Sequence, residues 1–168
     1  MLADIYKPEL WNGFFTMVGG GVAALTGLVF VALSLNVTEM THDATHKYRS
    51  INTLAGLTAV FVRCGLVLMG GQSHIAVGID LFAIASIGAL SFLYGFRQAF
   101  KYEAHPSKRR LVTGSCLYLA ELGGALVLAL GSIAGLYVVA AAMLLNVGFM
   151  ISAAWLLVVG VYTAKAND

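Results

Sequence analysis

The sequence predicts an all-α fold, a polytopic transmembrane helical bundle with about five spanning helices, and three observations predict it. Hydrophobic residues make up 60% of the 168 positions and charged residues only 11%, whereas a soluble domain carries about a quarter charged residues. The apolar residues come in runs of about 20, the length a helix needs to cross a hydrocarbon core of roughly 30 Å. The basic residues gather in the connections on one side of those runs, as they do in inserted helices. Water is therefore the wrong solvent for this chain, because so many long apolar runs exceed what a core of this size can hide.

The first span covers about 14–35 (FFTMVGGGVAALTGLVFVALSL). It is too long for a signal peptide and lacks a basic leading region and an A-x-A cleavage pattern, so we expect it to be retained. Ahead of it, Tyr6 and Trp11 stand where interfacial anchors sit, and Pro8 suits the first turn of a short helix lying on the membrane. The second span covers about 51–70 and the third about 75–96, joined at Gly70-Gly71-Gln72-Ser73-His74 in a tight hairpin. From Leu111 to Tyr162 the only charged residue is Glu121. A single helix of that length would be roughly 78 Å long, so it must fold back. Gly131-Ser132-Ile133-Ala134-Gly135 is the natural break, giving a fourth span of about 111–130 and a fifth of about 136–162. No internal repeat or Pro/Ser-rich linker divides the chain, which reads as one bundle over 1–168.

With five crossings, the amino terminus and both glycine-containing turns share one side and carry only Lys7. The other side holds Lys47, Arg49, Arg97, Lys101, Lys108, Arg109, Arg110 and Lys165. That bias places the amino terminus outside and the carboxyl terminus in the cytoplasm. Lys101, Lys108, Arg109 and Arg110 form the densest basic group, and its simplest partner is the anionic headgroup surface of the bilayer. Nothing in the charge points to nucleic acid.

Arg63, Asp80 and Glu121 fall inside spans, where a charge costs about 2.5–3.5 kcal/mol on insertion scales, so each requires a partner. Arg63 lies nine residues before Gln72 and Asp80 eight after it, which puts their backbones at one level, roughly 12 Å from the turn. A salt bridge between them is the expectation, and Arg63 is long enough to reach Glu121 as well, making a triad. Glu121 and Asn146 lie twelve and thirteen residues from Ile133, roughly 18 Å from their turn, and pair by the same reasoning. Helical spacing groups Asn52, Gly56, Ala59 and Arg63 on one face of the second span, and Gly114, Tyr118, Glu121, Gly124 and Ala125 on one face of the fourth. Small residues let backbones approach and polar ones bond across, so both stripes read as helix–helix seams. Gly20, Ala23, Ala24 and Gly27 make a small-residue face on the first span, suited to a close crossing within the subunit or between subunits.

Other signals carry little. Cys64 and Cys116 lie in apolar runs and support neither a disulfide framework nor a zinc site. His42 and His46 are spaced i, i+4 near Glu39 and Asp43, but read as a solvated loop rather than a metal site. No histidine sits within a span to hold haem, and no cofactor is expected. Asn36-Val37-Thr38 matches the glycosylation pattern on the cytoplasmic side, where it is inert. No phosphate loop, G-x-S-x-G or H-E-x-x-H motif occurs, and no nucleophile–base pair can be assembled, so an enzyme is not expected.

Several stretches, GVAALTGLVFVALSLN in the first span, GGQS at the hairpin turn and GLYVVAAAMLLNVGFMISAAW in the last span, resemble a widespread group of small multi-pass bacterial membrane proteins. The resemblance covers most of the chain. It implies residence in a bacterial cytoplasmic (inner) membrane and is silent on activity. Members of that group often carry R-x-x-E-T-L entering the second span, where this chain reads Arg49-Ser50-Ile51-Asn52-Thr53-Leu54, with Asn52 in place of the acid. Two classes of function follow from the residues. One is a proton or cation pathway, as an oligomer or a single bundle, through Glu121, Asp80 and Arg63. The other is an accessory protein whose charges only hold the fold while a small-residue face binds a copy of itself or a larger membrane complex.

Overall fold

The computed structural model describes residues 7–35, 44–102 and 107–165. It contains five helices, α1 (Pro8–Ser34), α2 (Ala44–Leu68), α3 (His74–Tyr102), α4 (Lys108–Ala129) and α5 (Ala134–Lys165), with no strand among the described residues. They have 22 to 32 residues each, about 33–48 Å at 1.5 Å per residue, and a hydrocarbon core is roughly 30 Å thick. All five are long and apolar enough to cross a membrane. The protein is a multi-pass transmembrane helical bundle.

Most helix ends lie beyond the apolar runs. Proline at the first helical position loses no intrahelical bond, and Glu9 in the first turn complements the helix dipole, so α1 runs unbroken from Pro8. The separate surface helix expected at Pro8 is thus the first turn of the span itself. The polar stretch from Ala44 to Ser50 is likewise the opening of α2. Glu39, His42 and Asp43, with the Asn36-Val37-Thr38 sequence and His105, lie outside the described residues.

Both predicted turns are present. The α2–α3 turn passes through Gly71 at φ 78°, and Ser73 Oγ accepts the Ala76 N–H at 3.2 Å, satisfying a donor that the helix start leaves open. The α4–α5 turn ends α4 with a reciprocal pair of bonds. Gly131 N–H donates to the Leu128 carbonyl at 2.9 Å and Ser132 N–H to the Val127 carbonyl at 3.1 Å, with Gly131 at φ 95°. Only a residue without Cβ takes that left-handed position at little cost.

Helices α2, α3, α4 and α5 form a closed ring, each packed on the next and α2 also on α5, while α1 lies outside against α2 with a narrow contact to α5. Leu57, Val60 and Val67 of α2 meet Val77 and Leu81 of α3, Ala125 and Leu128 of α4, and Leu136, Val139 and Met143 of α5 in one buried core. The α4–α5 seam is the tightest: a Cβ on Gly135 would collide with the backbone of Gly124 and Leu128. Such backbone contact is how helices gain dispersion energy where lipid is as apolar as the side chains.

The first helix departs from expectation. Its buried face is Phe15, Val18 and Val22, with Gly19 against Cys64. Gly20, Ala23, Ala24 and Gly27 face outward instead, and nothing lies within 4 Å of a Cβ built on Gly20 or Gly27. A close crossing inside the subunit on that face is therefore corrected: the bulkier neighbouring stripe offers more contact area to α2, and lipid covers a small-residue face without penalty. At the end of the bundle that bears the two tight turns, Trp11 packs edge-on against Tyr137 at 4.7 Å and also meets Phe14 and Phe15, fastening α1 to α5.

Candidate functional site

Three helices converge on one carboxylate. Arg63 Nη1 of α2 donates to Glu121 Oε2 of α4 at 2.5 Å, and Asn146 Nδ2 of α5 donates to Glu121 Oε1 at 3.1 Å. Both oxygens are engaged, and Arg63, Glu121 and Asn146 are each 1% exposed. Tyr118, one turn before Glu121, is also buried; the guanidinium carbon stands 6.0 Å from its ring centroid, and the Phe92 ring of α3 lies 5.6 Å from it, centroid to centroid. The whole expected stripe of α4, Gly114, Tyr118, Glu121, Gly124 and Ala125, is buried. On α2, Gly56 and Arg63 are buried while Asn52 and Ala59 are half-buried.

Asn146, at the depth of Glu121, is its partner as expected, but Asp80 does not pair with Arg63. Asp80 instead accepts a bond from Gln72 Nε2 at 3.2 Å, at the mouth of the α2–α3 turn, and is half-buried. The reason is side-chain direction. Helical side chains lean toward the amino-terminal end of their own helix, and α2 and α3 are antiparallel. Arg63 therefore leans away from the turn and deeper into the bundle, whereas Asp80 leans back toward the turn and Gln72. Two backbones at one level carry side chains that diverge. The same lean brings the guanidinium down to Glu121, so of the expected triad of Arg63, Asp80 and Glu121 only the Arg63–Glu121 pair forms. Gln72 as the partner of Asp80 went unrecognised; offsetting the depth of Asp80 by the lean of its side chain would have found it.

Of the basic group, Lys101, Lys108 and Arg109 are exposed, but the Arg110 guanidinium lies 5.2 Å from the Phe149 ring centroid of α5. That contact is a cation–π interaction inside the protein. Cys64 and Cys116 are free thiols, and among the described residues no group of three or more His, Cys, Asp or Glu is placed to hold a metal ion. Comparisons with protein-family models, with curated proteins and with solved structures gave no match.

What the cluster can do chemically follows from its wiring. One positive and one negative charge cancel, and the amide takes up the remaining carboxylate oxygen. Apolar Val60, Val67, Ala125, Leu128, Met143 and Met150 are buried in the same bundle interior. Arg63 Nε and Nη2, however, have no hydrogen-bond partner among the described residues.

Proposed function

We propose that the protein is a non-enzymatic accessory bundle, in which the buried charges lock the helices and an outward face serves another membrane component. The observation that carries this reading is the pairing at Glu121. A carboxylate that accepts a bond at each oxygen, is balanced by Arg63 and lies among buried apolar side chains is tied to two neighbouring helices, the arrangement of a fixed cross-link rather than of a relay. Flux through reconstituted liposomes tests it. Wild-type vesicles are expected to match empty ones over a broad pH range, and a pH-dependent flux abolished by Glu121→Gln would replace the accessory reading with a proton or cation pathway.

We place the amino terminus outside and the carboxyl terminus in the cytoplasm of a bacterial inner membrane, supported by the bias of basic residues toward one end. At that end a groove of about 1000 Å³ is lined by Leu90, Tyr94 and Leu111 and bordered by Arg97 and Lys101, a setting suited to an anionic lipid headgroup above its acyl chain. Single cysteines at the exposed positions Ser73 and Ser107 test the orientation. In intact cells an impermeant maleimide should label the first and spare the second, and the reverse pattern would invert the topology.

A further inference from the structure

The groove of about 1000 Å³ beside the end of α3 is lined by Leu90, Leu93, Tyr94, Arg97 and Lys101 of α3 and by Leu111 of α4. The α3 residues recur at steps of three and four, the spacing that stacks side chains on one helix face. Their order along that face is the order of parts in an amphiphile. Leu90 lies deepest; Tyr94 comes about 6 Å nearer the end of the helix, Arg97 about 4.5 Å beyond it and Lys101 about 6 Å further. The apolar span of α3 closes at Gln98, so the leucines stand at acyl-chain level and Lys101 among headgroups.

We propose that this groove holds a single phospholipid of net negative charge, with its phosphate between Arg97 and Lys101, an ester carbonyl accepting from the Tyr94 hydroxyl, and one acyl chain along Leu93 and Leu90. Charge selects the head. Arg97 and Lys101 are exposed, and none of the described carboxylates lies at their end of the bundle: Glu121 is held by Arg63, Asp80 by Gln72 beside the opposite turn, and Glu9 opens α1. From Arg97 to Arg110 the sequence has five basic residues and one acid, Glu103. Helix α4 begins Lys108-Arg109-Arg110 with no acid in its first turn, so side-chain cations meet the positive end of the helix dipole. Such a setting attracts phosphate and repels the ammonium of an ethanolamine or choline head, whereas a glycerol head brings no cation. The apolar part selects the source. A free phosphate leaves Leu90, Leu93 and Tyr94 unused, while a phospholipid covers them, and Leu90 at 68% and Tyr94 at 61% exposure open the groove sideways to the bilayer.

The site rests on the reading of this groove as a headgroup setting and adds to it the register and the head it selects. The test titrates the full chain in detergent micelles with dioleoyl phosphatidylglycerol, phosphatidylethanolamine and phosphatidylcholine, and with chain-free glycerophosphoglycerol as competitor. Phosphatidylglycerol should bind saturably, one per chain and about tenfold more tightly than the two zwitterions, and the chain-free head should not displace it. Arg97→Gln with Lys101→Gln should erase that preference and leave phosphatidylcholine binding unchanged. Tyr94→Phe should weaken all three lipids alike, by roughly fivefold, because each carries the ester. Lys47→Gln removes an exposed cation at the same end but outside the groove, and should change nothing. All four positions are exposed, so lipid-free melting should stay as in the wild type; Arg97→Gln alone, with part of the loss, serves if the double variant folds poorly. Equal affinity for the three lipids would overturn both the site and the headgroup reading. A preference that survives in the folded Arg97 and Lys101 variants, or that Lys47→Gln reduces as much, would overturn the site and leave a diffuse attraction to anionic headgroups. Displacement by the chain-free head would overturn it in favour of a simple anion site.

Discussion

Glu121 and Asp80 each stand among apolar residues of a spanning helix, yet one is held by partners 58 and 25 residues away in sequence and the other by a glutamine eight residues back in the adjoining turn. Depth separates them. Asp80 leans toward the end of the bundle, within reach of a polar turn, and remains half-buried. Glu121 is closed off and has to draw its partners from two other helices. A charge near the membrane edge is thus a local matter, whereas a charge near its centre dictates how helices assemble. The contrast also shows why a carboxylate within a span is not by itself a mark of transport: its partners decide.

The largest effect is expected at Arg63. Arg63→Leu strands Glu121, and removing one partner of a buried pair costs about 3–5 kcal/mol. The double variant Arg63→Leu with Glu121→Leu should be milder than Arg63→Leu alone, as read by reversible unfolding in mixed micelles. A double variant as damaged as the sum of the singles would mean that the two residues do not act as a pair. Gly135→Ala comes next. It touches no polar atom but forces apart the backbones of α4 and α5, and overpacking of this kind costs about 1–3 kcal/mol. It should also weaken the Asn146–Glu121 contact, so Asn146→Ala ought to do less harm in the Gly135→Ala background than in the wild type; strict additivity would uncouple the seam from the cluster. The smallest effect is expected from Asp80→Asn, which keeps a bond with Gln72, and membrane hydrogen bonds average about 0.6 kcal/mol. A loss as large as that of Arg63→Leu would place Asp80 in the central network after all.

The five spans, both turns and the buried stripe of α4 were legible because they depend on run length, glycine and helical period, which a sequence states directly. Asn146 was legible as the partner of Glu121 because both lie near the same distance from one short turn. Arg63 was not assigned first to Glu121, since its side chain is long enough that the guanidinium and the backbone sit at different levels. The inward face of α1 was hidden for another reason. In lipid both faces of a helix are apolar, so hydrophobic patterning stops distinguishing inside from outside, and the choice between the Phe15–Val18–Val22 stripe and the Gly20–Ala24–Gly27 stripe falls to shape. Shape is a property of α2 as much as of α1, and no reading of α1 alone supplies it.

The separation of Arg63 from Glu121 along the chain has a consequence for biogenesis. During synthesis α2 emerges before α4, and at roughly 5–20 residues per second the 58 residues between the two take about 3–12 s to translate. Throughout that interval the arginine lacks the carboxylate that it meets in the finished bundle. The α2–α3 hairpin is therefore expected to stay beside the insertion machinery, or at the lipid–water boundary, with its guanidinium hydrated. On that expectation the arrival of α4 times release into the bilayer, and the residue that locks the finished bundle would also order its assembly. Ribosome-arrested chains ending shortly before residue 121 should still crosslink from a photoreactive group at position 62 to the insertase, and chains long enough to expose α4 should not; early loss of that crosslink would show that the hairpin partitions alone.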